Sequence, residues 1–86
     1  MARIYWTAEA ASHRAELDER SQQTIRHRVD ILADFPYAGV ALKRDWAGFR
    51  KLSAAPLFWV ILYTVRDMDT VIIGYLRRAR SRWESR

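Results

Sequence analysis

Leu57-Phe58-Trp59-Val60-Ile61-Leu62-Tyr63-Thr64-Val65 and Thr70-Val71-Ile72-Ile73-Gly74-Tyr75-Leu76 stand on either side of Arg66-Asp67-Met68-Asp69, and this stretch decides the fold. Both flanks are dominated by β-branched and aromatic residues, which fit a pleated surface. The four residues between them suit a hairpin turn. From Trp59 to Leu62 the apolar run is unbroken, so a central strand is expected, covered on both faces or lying mid-sheet. Pro56 fits only at its start, because proline cannot donate to a ladder. Upstream, Phe49 to Ser53 is a shorter strand candidate.

The N-terminal half has a different period. Arg3-Ile4-Tyr5-Trp6 is strand-like and ends at Thr7, which suits a helix N-cap, with Glu9 in the first turn where the helix dipole favours an anion. Ala8 to Arg20 carries a thin apolar stripe of Ala8, Ala11, Ala15 and Leu17. Ser21 is a second N-cap candidate, and Ile25, Val29, Leu32 and Ala33 follow at the spacing of one helix face. Pro36 ends that helix near Phe35, since it pushes the residue before it out of the helical region. Two helices in succession predict an antiparallel hairpin. Tyr37 to Gly48 has no sustained period and reads as a loop. The fold expected is therefore α+β, in the order β-α-α-β-β-β. Its N-terminal strand and helical hairpin pack on a small, mainly antiparallel sheet, and a short Arg-rich turn or helix closes the chain.

At 86 residues the chain is read as one domain, 1–86, because a second core would bury too little apolar surface to offset its ordering entropy. It has no cysteine, which removes disulfides and thiolate metal sites. The longest apolar stretch, Pro56 to Val65, falls short of the about 20 residues needed to cross a bilayer, and the N-terminus has no signal-peptide core. A cytoplasmic protein without a membrane partner is expected.

Charge is unevenly spread. Residues 1–40 hold five basic and six acidic side chains, residues 41–86 ten and four, so the net +5 comes from the second half. Concentrated like charge costs stability through self-repulsion and usually serves a polyanion or an acidic protein. Only two of the fifteen cations are Lys, and the planar fork of Arg suits carboxylate and phosphate. Arg77, Arg78, Arg80, Arg82 and Arg86 crowd the end of the chain. Trp46 and Trp83, in a loop and a terminus, are expected to be free to meet a partner, whereas Phe49 and Trp59 are expected in the core.

Little in the sequence supports acid–base chemistry. His13 and His27 lie on the expected helices, away from the arginines, and read as solvated helix residues. Asp67 and Asp69 suit turn geometry and have no His or Glu beside them, so no metal is expected. The three glycines are isolated, so no phosphate-cradling loop is present and no cofactor is expected.

The order of elements and several strings resemble the RelE/ParE superfamily of bacterial toxins from type II toxin–antitoxin modules. The strings are Asp34-Phe35-Pro36-Tyr37-Ala38-Gly39, Gly48-Phe49-Arg50-Lys51-Leu52, Val60-Ile61-Leu62-Tyr63-Thr64-Val65 and Leu76-Arg77-Arg78-Ala79-Arg80. The resemblance implies one of two activities. RelE-type members are ribosome-dependent mRNA endonucleases that use Lys, Arg and a C-terminal Tyr; ParE-type members bind and poison DNA gyrase. Arg50 stands in the place of one RelE-type lysine and Arg78 in that of an arginine after the last strand. Leu52 replaces a second lysine, Val60 replaces the central-strand arginine, and the terminal tyrosine is missing, with Trp83 the nearest aromatic. Each preorganised donor lost in this way is worth about 3 kcal/mol of transition-state stabilisation. Leu76 to Ser81 is more similar to the ParE-type exit, with Arg80 at its usual arginine.

The resemblance thus implies a plasmid-stabilisation-like toxin of the ParE branch, with Trp46, Arg77, Arg78, Arg80 and Trp83 as its contact surface for target or antitoxin. It also implies a small, acidic, partly disordered antitoxin, through which operator DNA would be reached. The alternative is a RelE-like endoribonuclease acting on ribosome-bound mRNA with Arg50, Lys51, Tyr75 and Arg78 near the phosphate. A non-toxic RNA-binding α+β module is the third reading.

Overall fold

A computed structural model describes residues 1–54, 58–80 and 83 of the chain. The elements run β1 (Arg3–Trp6), α1 (Ala8–Glu16), α2 (Glu19–Asp34), β2 (Val40–Ala41), a single 3-10 turn at Arg44–Trp46, β3 (Arg50–Ala54), β4 (Trp59–Asp67) and β5 (Thr70–Arg78). They build one five-stranded sheet in the order β1-β5-β4-β3-β2. β1 lies parallel to β5 and the other pairs are antiparallel. The α+β order expected from the sequence is thus observed. The hairpin turn is tighter than the four residues expected, because pairing runs on to Asp67 and Thr70. The Asp67 carboxylate accepts the Asp69 N–H at 2.9 Å across it. Among the described residues no helix is long and apolar enough to cross a membrane.

Both faces of the sheet are covered, which explains the unbroken apolar run of β4. On one face Trp59, Ile61 and Tyr63 join Leu52, Val71, Ile73 and Leu76 under the helices, where Ile25, Val29 and Leu32 of α2 are buried. On the other face Val60 and Leu62 pack with Trp46 and Trp83, with Leu42, Phe49 and Tyr75 around them. Pro56 and Leu57, expected at the start of β4, lie outside the described residues.

Three local expectations need correction. The buried position of α1 is Ala10, not Ala8, Ala11 or Ala15. Thr7 sets this rotation: its hydroxyl accepts the Ala10 N–H at 3.1 Å and donates to the Gly74 carbonyl at 2.9 Å, which ties the helix start to β5. The inward face then continues through His13, Arg14 and Leu17. His13 meets the Trp59 ring edge-on at 5.6 Å, and the Arg14 guanidinium lies 4.4 Å over the Trp6 ring. Second, the N-cap of α2 is Asp18; Ser21, the residue expected there, is buried inside the helix. Third, the expected loop 37–48 contains β2 and the 3-10 turn, and so adds an edge strand to the sheet.

β5 holds a bulge. Leu62 pairs with Tyr75 and Tyr63 with Ile73, which leaves Gly74 as an extra residue. Ile73 and Tyr75, two apart, therefore point to opposite faces, where regular alternation would put them together. A side chain at 74 would begin 2.9 Å from the Phe49 ring, so glycine is needed there.

Candidate functional site

The face of the sheet away from the helices carries the candidate site, and Trp46 is its centre. The 3-10 turn brings Trp46 over β4, where its ring meets Phe49 at 5.3 Å, Tyr75 at 5.4 Å and Trp83 at 5.9 Å, each close to edge-on. The indole N–H of Trp46 donates to the Trp83 carbonyl at 2.9 Å. Both tryptophans are buried, at 5% and 6% exposure. The expectation that they are free to meet a partner is corrected: the second apolar face of β4 draws them in, because an uncovered Val60 and Leu62 would otherwise face water. Beside them, Glu9, Phe49, Thr64, Ile72 and Tyr75 line a groove of about 180 Å³.

Strand alternation distributes the cations. Arg50 pairs with Tyr63 and Lys51 with Leu62, residues of opposite faces. Lys51 accordingly lies over the Trp83 ring at 5.8 Å. Arg50 turns to the helix side, where its Nε donates to the Gly39 carbonyl at 3.0 Å, a terminal nitrogen donates to the Tyr37 carbonyl at 3.3 Å, and the guanidinium sits 5.1 Å over the Tyr37 ring. It holds the segment after α2 against β3. The same segment is held by Tyr63, whose fully buried hydroxyl accepts the Gly39 N–H at 2.8 Å. Burial pushes the Tyr63 phenol above its ordinary pKa of 10.0, against the Gly39 amide and Arg50, which act the other way.

The arginines of β5 separate too. Arg77 pairs with Val60, lies 5.0 Å over the Tyr75 ring on the open face, and forms an ion pair with Glu9 at 3.3 Å. Arg78 pairs with Trp59 and covers its ring at 5.1 Å on the helix side. The Arg80 guanidinium lies 5.2 Å over the Phe58 ring at the end of the sheet. Of the four residues expected around a phosphate, Lys51 and Tyr75 share one face while Arg50 and Arg78 share the other. Glu9 was not expected as a partner of Arg77, and no sequence signal joins residues 68 positions apart. Ser81, Arg82 and Arg86 lie outside the described residues.

Residues 4–83 match the ParE toxin of type II toxin–antitoxin systems, parDE. The chain belongs to the ParE toxin family. As a member of that family it is a type II toxin–antitoxin toxin of the RelE/ParE superfamily. Solved structures share the fold of this ParE-family chain. The E. coli RelBE toxin–antitoxin complex contains a chain 12% identical, with 94% of this chain and 100% of that one covered and a TM-score of 0.78. The RelBE2 complex of Mycobacterium tuberculosis has one 22% identical, with coverages of 90% and 96% and a TM-score of 0.77. The chromosomal ParDE system of P. aeruginosa has one 20% identical, with coverages of 93% and 98% and a TM-score of 0.71. At these identities the likeness is one of fold. No curated protein matches the ParE-family chain.

Proposed function

We propose that this ParE-family chain inhibits growth by binding DNA gyrase in the cytoplasm and is neutralised by a small acidic antitoxin. One observation carries the binding reading: the cationic and phenolic groups that would have to surround a scissile phosphate are divided between the two faces of the sheet. RNA cleavage through the 2′-hydroxyl needs a proton acceptor, a cation and a proton donor around one phosphate. Arg50 is engaged with Gly39 and Tyr37, and His13 packs on Trp59 on the helix side. A surface built this way is suited to contact. Relatives solved as toxin–antitoxin complexes support the antitoxin as partner, and the positive charge of residues 41–86 supports its acidity. Operator DNA would be reached through the antitoxin.

A ribosome-dependent endoribonuclease is the second reading. In its favour, Lys51, Leu62 and Tyr75 form one row across β3, β4 and β5 on the open face, with Arg77 beside Tyr75. Two measurements separate the readings: supercoiling by purified gyrase in the presence of the protein, and the mapping of mRNA ends after its induction in a bacterium. Blocked supercoiling with an unchanged pattern of mRNA ends is expected. Codon-positioned cuts with unaffected supercoiling would overturn the gyrase assignment in favour of the nuclease.

A further inference from the structure

Two described residues other than glycine have positive φ, Arg44 and Phe58, each at 58°. A bulky side chain in the left-handed region is an outlier, because its Cβ crowds the carbonyl oxygen. Burial does not compensate at Phe58, whose side chain is 56% exposed. Its backbone is pinned, since its carbonyl accepts the Ala79 N–H at 2.7 Å, and the Arg80 guanidinium lies 5.2 Å over its ring. The adjacent stack differs. Trp59 is buried, so Arg78 over it closes the edge of the core, whereas Phe58 and Arg80 are both exposed. Strain held in order to present an exposed ring is a pointer to function.

We propose that Phe58 and Arg80 form a docking point for a carboxylate-bearing apolar segment of the target protein; this rests on the binding reading above. A guanidinium centred over a ring is attracted to it by charge, and the N–H donors that do not face the ring form a fork that matches a carboxylate. The stack also orders the Arg80 side chain before binding, which removes part of the entropy cost of association. Arginine and aromatic residues, Phe included, are each enriched at protein interfaces relative to the rest of the surface. A phosphate shares the carboxylate's chemistry, but a nucleic acid requires a track of phosphate contacts and successive stacking rings. Among the described residues the tip presents the single ring of Phe58, while the nearby Arg77 turns to the open face and pairs with Glu9 and Arg78 lies over Trp59 on the helix side.

The test is an NMR titration of the full chain, followed at the Phe58 amide and the Arg80 Nε–H. The probes are a capped pentapeptide with Glu and Asp alternating with Leu, its Gln and Asn counterpart, and an octathymidylate. The acidic peptide is expected to move both signals, with the neutral one weaker by about tenfold or more. Phe58→Gly keeps the left-handed backbone and loses the ring; Arg80→Lys keeps the charge and loses the fork. Each should weaken the acidic peptide about fivefold or more, with Phe58→Gly melting no lower than the wild type. The proposal is overturned if the acidic peptide leaves both signals unmoved, if both variants bind it as the wild type does, or if the octathymidylate binds the tip more tightly. In the supercoiling assay, wild-type inhibition that survives both substitutions overturns the assignment of the tip to the target. Absent wild-type inhibition overturns the gyrase reading alone, and the peptide titration then decides the tip.

Discussion

Tyr63 shows how a residue with an apparent place in chemistry is committed to architecture. Its hydroxyl is fully buried and accepts the Gly39 N–H. Gly39 in turn has no room for a side chain, since a Cβ there would come within 2.5 Å of the Lys51 carbonyl oxygen. Tyr63→Phe leaves the Gly39 N–H buried without a partner and should cost about 1–3 kcal/mol in urea unfolding. A pH dependence accompanies this loss. Because burial raises the phenol pKa above 10.0, the folded state holds the proton more tightly than the unfolded chain does. That stabilisation is complete below about pH 10 and disappears as pH rises through the folded-state pKa. Wild-type stability should therefore fall above pH 10 more steeply than that of Tyr63→Phe. At this scale the sequence was partly legible. The string Asp34 to Gly39 and the position of Arg50 both stood out, yet Arg50 looked like a phosphate ligand. Residue type reveals what a guanidinium can bind, but only the path of the chain brings the Tyr37 and Gly39 carbonyls within its reach.

α2 and α1 differ in how openly they announce themselves. Ile25, Val29 and Leu32 of α2 are large and apolar at helical spacing, and they are the residues buried. α1 hides its inner face, because only Ala10 on it is buried while the His13 ring meets Trp59 edge-on and the Arg14 guanidinium lies over Trp6. Its rotation is set by Thr7, which was legible as a cap; the second bond of its hydroxyl, to the Gly74 carbonyl of β5, was not. Thr7→Ala removes both bonds and should destabilise the protein by about 1–2 kcal/mol, measured by urea unfolding. Ser at this position should recover most of that loss. β2 escaped notice because two paired residues carry no period.

Taken whole, the molecule is a sheet with two unequal covers: a helical hairpin on one side, an aromatic cluster on the other. Among the contacts that hold the second cover is the bond from the Trp46 indole N–H to the Trp83 carbonyl. Trp46→Phe keeps an aromatic ring but removes this buried hydrogen bond, so a loss of about 1–3 kcal/mol in unfolding free energy is expected. The concentration of positive charge in residues 41–86 was plain from the sequence. Its division was not: Lys51 and Arg77 go to one side, Arg50 and Arg78 to the other, and Arg80 to the end of the sheet. For Arg77 that side depends on Gly74, which gives β5 one residue more than its pairing with β4 uses. A chain shorter by that residue would keep each later side chain on its present side, whereas the present length in unbroken alternation would carry Arg77 beneath the helices and Leu76 to the face away from them. The surface character of this end of the molecule is thus a matter of counting: it could be inverted with no change of composition, by the loss of one irregularity in pairing.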